Sequence, residues 1–285
     1  MTEYRKVPFL TFVVSPRQKV KINLAGCNFD CKGCFAIAKQ EVGRAFSVEG
    51  LIDLLIKSCQ QIYGELADDV QITGGEPTVD VDYLLSLIRG LRRLGVSKIG
   101  ISTNGYNLDR SLVRELKSRG VNYIKLDLKA YNDQIHKWYT GKSNANVLKA
   151  VELLCEYGLS FYVRTIFIPD IVDLDEVEKI ARFLRQVDRR IAYKIYQFAP
   201  EHVANKIPSK SPTKEQMLRA GTIAQRYLDN ADAYTTETVY DPESKYIEVR
   251  ADELLKDFEK IDEISKLSIE TWDMQYFTMN EVLNC

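Results

Sequence analysis

Over about the first 200 residues, short runs of apolar and β-branched residues alternate with longer segments of helical spacing. The short runs fall at 21–24, 70–73, 98–102, 123–128, 161–168 and 192–198, with helical segments at 47–63, 81–94, 111–119, 146–157 and 174–187 between them. Strands of this length separated by helices build βαβ units and a parallel sheet. Six of them suit a partial barrel or a doubly wound sheet, and patterning alone does not separate the two. No internal repeat, low-complexity tract or Pro/Gly/Ser-rich linker interrupts the rhythm.

The residue types out of keeping with a plain core sit just after the strands. A cysteine group follows the first, Gly74-Gly75-Glu76-Pro77 the second and Thr103-Asn104-Gly105 the third, while Lys129 ends the fourth. In parallel α/β folds the loops at the strand carboxyl ends build the active site, so four consecutive strands bring candidates to one rim.

The remaining chain is less regular. A helix over 211–228 carries Pro212 near its start, and two short strands at 233–239 and 245–249 follow. A charged helix over 252–266 leads to a tail with Trp272, Tyr276 and Phe277. The expected division is a core over 1–210 and a C-terminal α+β extension over 211–285 that covers the barrel or docks the substrate. Packing on the core is the plainer reading of the tail aromatics.

The 285 residues amount to about two average domains, or one α/β barrel. Lys plus Arg number 39 and Asp plus Glu 40, which argues against a polybasic arm or acidic tail but leaves RNA open as a substrate. No run of about 18 apolar residues is present, so no membrane span is expected. The apolar stretch at 9–14 is too short for a signal peptide, which leads to a cytoplasmic expectation.

Six cysteines stand at 27, 31, 34, 59, 155 and 285, and the first three lie within eight residues. Clustered thiols in a cytoplasmic chain hold metal or do redox work more often than they form disulfides. Cys59 and Cys155 fall inside helical patterns and read as small buried apolar residues. Cys285 reads as incidental.

The strongest motif is Cys27-Asn-Phe-Asp-Cys31-Lys-Gly-Cys34. Zinc sites use four N or S ligands in paired elements, yet no fourth Cys or His is near: His136 and His202 are each more than 100 residues away. Three thiolates on a short loop can hold three irons of a [4Fe–4S] cluster and leave the fourth iron open to a ligand that reacts. Zinc remains the alternative on spacing alone. Thr73-Gly74-Gly75-Glu76-Pro77 lets backbone approach a ligand closely, and Ser102-Thr103-Asn104-Gly105 offers polar contacts. Asp127 and Lys129, two apart on a strand, share a face; such a pair facing a barrel lumen implies something polar there.

The spacing C-x₃-C-x₂-C, with the GGEP element 40 residues later, resembles the radical S-adenosylmethionine superfamily. The stretch from Asp127 to Gly141, with Arg164 and Pro169, resembles glycyl-radical-enzyme activases such as the pyruvate formate-lyase activating enzyme. The resemblance covers about residues 20–205. It implies a partial (β/α)6 TIM-type barrel, with Cys27, Cys31 and Cys34 holding a [4Fe–4S] cluster and S-adenosylmethionine as cosubstrate. By the same resemblance the cofactor contacts are Phe29, Gly74, Gly75, Glu76, Ser102, Asn104, Asp127, Lys129 and Arg164, with His202 near the adenine. That family usually carries an aromatic just before the last cysteine; here it is Gly33, with Phe29 and Phe35 the candidates to supply the ring. Ser102 stands where those activases commonly carry Asp, and His136 reads as structural.

The implied reaction is reductive cleavage of S-adenosylmethionine to a 5′-deoxyadenosyl radical that abstracts hydrogen from a macromolecule, protein or tRNA. The implied partners are a low-potential donor of flavodoxin or ferredoxin type and, for an activase, an enzyme that stores a glycyl radical. Modification of a tRNA base or a peptide is the second enzyme reading. Arg182, Arg185, Arg189, Arg190 and Lys194 are its candidate phosphate contacts, although a solvated helix face explains them more simply. A metal-holding structural subunit without catalysis is the reading from a different class.

Overall fold

The computed structural model describes residues 4–34, 36–200, 207–239, 244–256 and 275–284. Three strands open the chain, β1 (Arg5–Val7), β2 (Phe9–Ser15) and β3 (Lys19–Leu24), and β4 (Arg44–Phe46) follows the cysteine loop. The repeating unit then runs α1 (Val48–Tyr63), β5 (Asp69–Gly74), α2 (Val81–Arg93), β6 (Lys98–Thr103), α3 (Arg110–Ser118) and β7 (Tyr123–Asp127). It continues through α4 (Asp133–Thr140), α5 (Ala145–Glu156), β8 (Phe161–Phe167), α6 (Leu174–Asp188) and β9 (Ala192–Gln197). The last described elements are α7 (Lys214–Gln225), β10 (Ala231–Tyr234), α8 (Thr236–Val239), β11 (Lys245–Arg250), α9 (Asp252–Lys256), β12 (Gln275–Thr278) and α10 (Met279–Leu283).

Ten strands form one sheet in the order β10-β9-β8-β7-β6-β5-β3-β2-β11-β12. From β10 to β3 every neighbour is parallel, whereas β2 runs antiparallel to both β3 and β11. This is the α/β sheet of the expected partial barrel. The helices start where short polar side chains cap them: Ser47, Asp80, Asp109, Asn132 and Asp173 each accept a backbone N–H of the helix that follows. Among the described residues no helix is long and apolar enough to cross a membrane.

The parallel strands differ on their two faces. Val20, Ile22, Leu24, Val70, Ile72, Ile99, Ile101, Ile124, Leu126, Val163, Tyr193 and Ile195 are fully buried and belong to the core beneath the helices. The alternate positions carry Lys21, Asn23, Gln71, Ser102, Lys125, Asp127, Tyr162, Arg164, Lys194 and Tyr196. Fully covered parallel sheets read as continuous apolar runs; a polar alternate row marks the second face as the lining of a lumen.

The expected units lie within two residues of the observed strands and helices up to β9. The later chain departs from expectation at one strand. The strand expected at 233–239 is β10 followed by α8, because the Thr238 hydroxyl accepts the Thr235 N–H at 2.9 Å and Gln197 Oε1 accepts the Thr236 N–H at 2.8 Å. These side-chain bonds turn the β-branched run out of the ladder. The apolar stretch at 9–14 forms β2, which joins β3 to β11. Strands on both sides of 210/211 belong to one sheet. Of the charged helix expected over 252–266, α9 is the described part; Trp272 and Cys285 lie outside the described residues. Phe277 packs on the core, Tyr276 is about half exposed under the Arg250 guanidinium, Cys59 is buried and Cys155 half-buried.

β1 and β4 form a separate antiparallel pair that sets Arg5 beneath the rim loops. The buried Arg5 guanidinium donates to the carbonyls of Ala25 at 2.5 Å, Pro77 at 3.0 Å and Glu76 at 3.3 Å. Three carbonyls from two loops thus share one cation. Arg5→Met should leave them unpaired and lower the unfolding free energy by about 3 kcal/mol, the cost of buried acceptors that lose a charged donor. Urea unfolding of the purified variant measures it.

Candidate active site

Leu24 ends β3 and the chain turns into the cysteine loop. Backbone bonds hold that loop on both flanks: Gly75 N–H donates to Leu24 O, Glu76 N–H to Gly26 O and Gly26 N–H to Ala38 O, each at 2.8 Å. On the far side Asp30 N–H donates to Thr140 O at 2.8 Å and Lys32 N–H to Tyr139 O at 2.9 Å. The last turn of α4 has carbonyls that its own helix cannot satisfy, and the cysteine loop supplies the donors.

Cys27, Cys31 and Cys34 are all partly buried on this loop. The Phe29 N–H points at Cys27 Sγ at 3.4 Å, and Asn104 Nδ2 lies 3.9 Å from the same sulfur. Burial pushes the Cys27 thiol up to about 11 and the Cys31 thiol up to about 12, with the Lys129 ammonium pulling against it at Cys31. Each of these thiols also feels the charge of Cys34. Such thiols stay protonated alone and ionise when a cation binds them. Among the described residues no three His, Cys, Asp or Glu side chains converge on a single-ion position. A [4Fe–4S] cluster spreads three thiolates over three irons, and three partly buried cysteines within eight residues of one loop fit that donor set.

The GGEP loop is fused to this one. Gly74 has φ +118°, and a Cβ at Gly74 or Gly75 would overlap the backbone of Leu24, Gly26 or Ala38. No residue but glycine lets the two loops touch. Glu76 is fully buried, and its carboxylate accepts four bonds: Thr78 N–H at 2.9 Å, Thr78 Oγ1 at 2.6 Å, Thr103 Oγ1 at 2.7 Å and Asn104 N–H at 2.6 Å. Burial pushes its pKa up while these donors pull it back. The expected cofactor contact at Glu76 is therefore turned inward: its oxygens are taken by the protein, and the loop backbone is what faces outward.

The other rim positions sort by where their polar atoms go. Asn104 Nδ2 donates to Asn28 Oδ1 at 2.7 Å, joining the third strand's loop to the cysteine loop. Ser102 Oγ accepts from Gln71 Nε2 at 2.7 Å. Asp127 bridges two cations, with Oδ1 2.6 Å from Arg164 Nε and Oδ2 3.0 Å from Lys129 Nζ. These three side chains are about three-quarters buried and carry a net positive charge, suited to a ligand with a carboxylate. Phe29 is 3% exposed, set edge-on against Tyr106 and His136 at 5.6 Å, so it anchors the loop from beneath rather than lining an open surface. His136 is structural: its Nδ1 bonds Lys142 O at 2.8 Å. His202 and Phe35 lie outside the described residues.

Two contributors were not legible in the motifs. Arg5 holds the loop carbonyls from a strand that carries no motif residue. Tyr139 fills the space beside Gly33: a Cβ at Gly33 would overlap the Tyr139 hydroxyl and lie 3.1 Å from Ile207 Cδ1. A ring from α4 takes the room that a larger loop residue would need. The absence of a side chain before Cys34 is the one sequence signal of it. The basic residues around α6 are largely satisfied locally, since Arg182 pairs with Glu178, Arg189 with Asp229 and Arg190 with Asp188.

Comparisons with known proteins agree with this geometry. A protein of Methanocaldococcus jannaschii named "Putative glycyl-radical enzyme activating enzyme" is 34% identical over 221 residues, 76% of this chain and 81% of that relative. The trans-4-hydroxy-L-proline dehydratase activating enzyme of Clostridioides difficile is 28% identical over 186 residues, 62% of this chain and 59% of its own. A domain of a pyruvate-formate lyase-activating enzyme from Bacteroides vulgatus shares the fold, with a TM-score of 0.50 at 19% identity over 58% of this chain and 97% of that one. The Radical SAM superfamily profile matches residues 24–184, from the end of β3 into α6, so the chain belongs to that superfamily of enzymes that pair a [4Fe–4S] cluster with S-adenosylmethionine.

Proposed function

We propose that the protein is an activating enzyme that takes a hydrogen atom from a backbone glycine of a partner enzyme and leaves a stored glycyl radical there. The observation that carries this reading is the 34% identity to an activating-enzyme homologue over most of both chains. The layout agrees with it: the thiol loop stands at the carboxyl ends of strands whose second face carries lysine and tyrosine side chains. Of the five basic residues behind the alternative on tRNA, Arg182, Arg189 and Arg190 are already paired with the protein's own carboxylates.

In this reading Cys27, Cys31 and Cys34 hold the cluster, and the Gly74–Gly75 backbone with Asn104, Asp127, Lys129 and Arg164 seats the cosubstrate; Ser102 supports Gln71, and the family resemblance assigns His202 to the adenine. When bound, the cluster and S-adenosylmethionine supply a one-electron cleavage that yields the hydrogen-abstracting 5′-deoxyadenosyl group. The chain's own part is to position and to exclude water. A flavodoxin- or ferredoxin-type protein would deliver the electron.

The test is anaerobic. The reconstituted protein with dithionite, S-adenosylmethionine and a candidate glycyl-radical partner should give an organic radical on the partner by electron paramagnetic resonance, matched by 5′-deoxyadenosine. Product without any partner radical would point to another substrate. Changing Cys27, Cys31 or Cys34 to Ala should drop iron from about four per chain and abolish cleavage; retained cleavage in any of them would overturn the ligand assignment.

Asp127 gives a pH test. Burial raises its pKa, but Arg164 and Lys129 override that and hold it below the usual carboxylate range. A depressed carboxylate stabilises the fold above its unfolded pKa of about 3.9, and that contribution is lost as pH falls through the folded value. Asp127→Asn leaves two cations unpaired and should cost about 3 kcal/mol at neutral pH. The gap from the native chain, read by urea unfolding, should narrow below about pH 4.

A further inference from the structure

Below the rim, the lumen face holds a belt of lysines lying on tyrosine rings. Lys19 sits 5.0 Å from the Tyr123 centroid, Lys21 5.6 Å from Tyr246, Lys125 5.9 Å from Tyr123 and 6.0 Å from Tyr162, and Lys194 4.8 Å from Tyr162 and 5.4 Å from Tyr234. Strand register makes the belt continuous with the rim. Lys194 stands opposite Arg164, which stands opposite Asp127, and Lys125 is two residues before Asp127 on β7, about 7 Å deeper.

The carboxylates of this face are already committed. Asp69 pairs with Lys19 and Lys98, Asp127 with Lys129 and Arg164, and Glu248 with Arg250. Among the described residues, Lys21, Lys125 and Lys194 have no carboxylate in ion-pair reach and lie against tyrosine rings, with Glu248 and Asp69 acting on Lys21 and Lys125 from farther off. Lysines laid on rings rather than paired with carboxylates leave their amino groups open to an anionic ligand. Burial and the neighbouring cations Lys19, Arg164 and Lys21 push Lys125 down to about 6, so an anion beside it would restore its charge. One further group points the same way. Gln71 is 3% exposed, its Nε2 is spent on Ser102, and its Oε1 has no partner among the described residues. A buried acceptor without a donor asks for a ligand that brings an N–H.

We propose that this lumen is the seat of the substrate segment and that the segment is an acidic peptide, with carboxylates beside the reacting glycine for Lys21, Lys125 and Lys194 and a backbone N–H for Gln71. The inference rests on the activating-enzyme reading and adds the chemistry of the segment. Peptide is favoured over nucleic acid because a peptide backbone brings an N–H donor at every residue but proline, whereas a phosphodiester backbone brings acceptors and keeps its donors on sugar and base.

The experiment measures binding to the cluster-loaded enzyme with S-adenosylmethionine, using a blocked pentapeptide with glycine flanked by two acidic residues on each side. Its amide counterpart, with Gln and Asn in place of Glu and Asp, is the control, and oligouridylate is the competitor. The acidic peptide should bind about tenfold or more tightly than the amide one, as expected for charge-assisted bonds, and more weakly at high salt. Lys125→Gln and Lys194→Gln should each weaken it about tenfold, while Lys125→Arg retains binding and all three cleave S-adenosylmethionine at the native rate without peptide. Equal affinity for the two peptides, or no binding of either, would overturn the proposal; oligouridylate displacing the acidic peptide from the lumen would assign it to nucleic acid instead. Loss of 5′-deoxyadenosine formation in the native enzyme would count against the activating-enzyme reading alone, because peptide binding is scored without turnover.

Discussion

The rim depends on one buried carboxylate. Glu76 draws donors from its own loop, through Thr78, and from the end of β6, through Thr103 and Asn104. Its backbone N–H fixes Gly26 at the start of the cysteine loop, and its backbone carbonyl takes a bond from Arg5. A fully buried acid is costly unless its oxygens are satisfied; here that requirement locks three loops together. Asn104, oriented by its bond to Glu76, then reaches Asn28 and Cys27. The position of the thiols is thus set by a carboxylate that faces away from them.

The second determinant is the polarity of the lumen face. In a sheet covered on both sides, lysine at 21, 125 and 194 would be intolerable. On the lining of a barrel the same residues lie against tyrosine rings, and burial lowers the pKa of Lys21 and Lys125 there. The tyrosines do double service: the Tyr123 ring lies 5.2 Å from Lys98 Nζ, while its hydroxyl accepts from Lys19 Nζ at 2.5 Å. A ring face lies against a lysine without forming an ion pair, which a carboxylate would do.

Much of this was legible in the residues. The period-2 runs and the helical segments between them place β3 and β5 to β9 and their crossovers, because each strand must bury one apolar row under a helix. The motif residues fall at strand ends, so the rim followed from topology. What escaped reading has physical reasons. β1, β2 and β4 are short edge or antiparallel pieces whose partners lie far along the chain, and local pattern carries no sign of a β2–β11 pairing. Arg5 looks like any surface arginine until two loops converge on it. Tyr139 lies more than 100 residues from Gly33, and only packing shows that one ring occupies the other's space. Glu76 reads as a ligand contact from its motif; that it is turned inward depends on the hydroxyls at 78 and 103, which the motif does not include.

The layers of the site also divide its labour. The upper layer of thiols, paired glycines and the Asp127–Lys129–Arg164 triad is made of backbone contacts and satisfied charges, so it can hold one cofactor geometry whatever substrate enters. The lower layer, among the described residues, holds three lysines without a carboxylate in ion-pair reach and one amide oxygen without a donor. Asp127 joins them, since its register partner Arg164 faces Lys194 across the next strand.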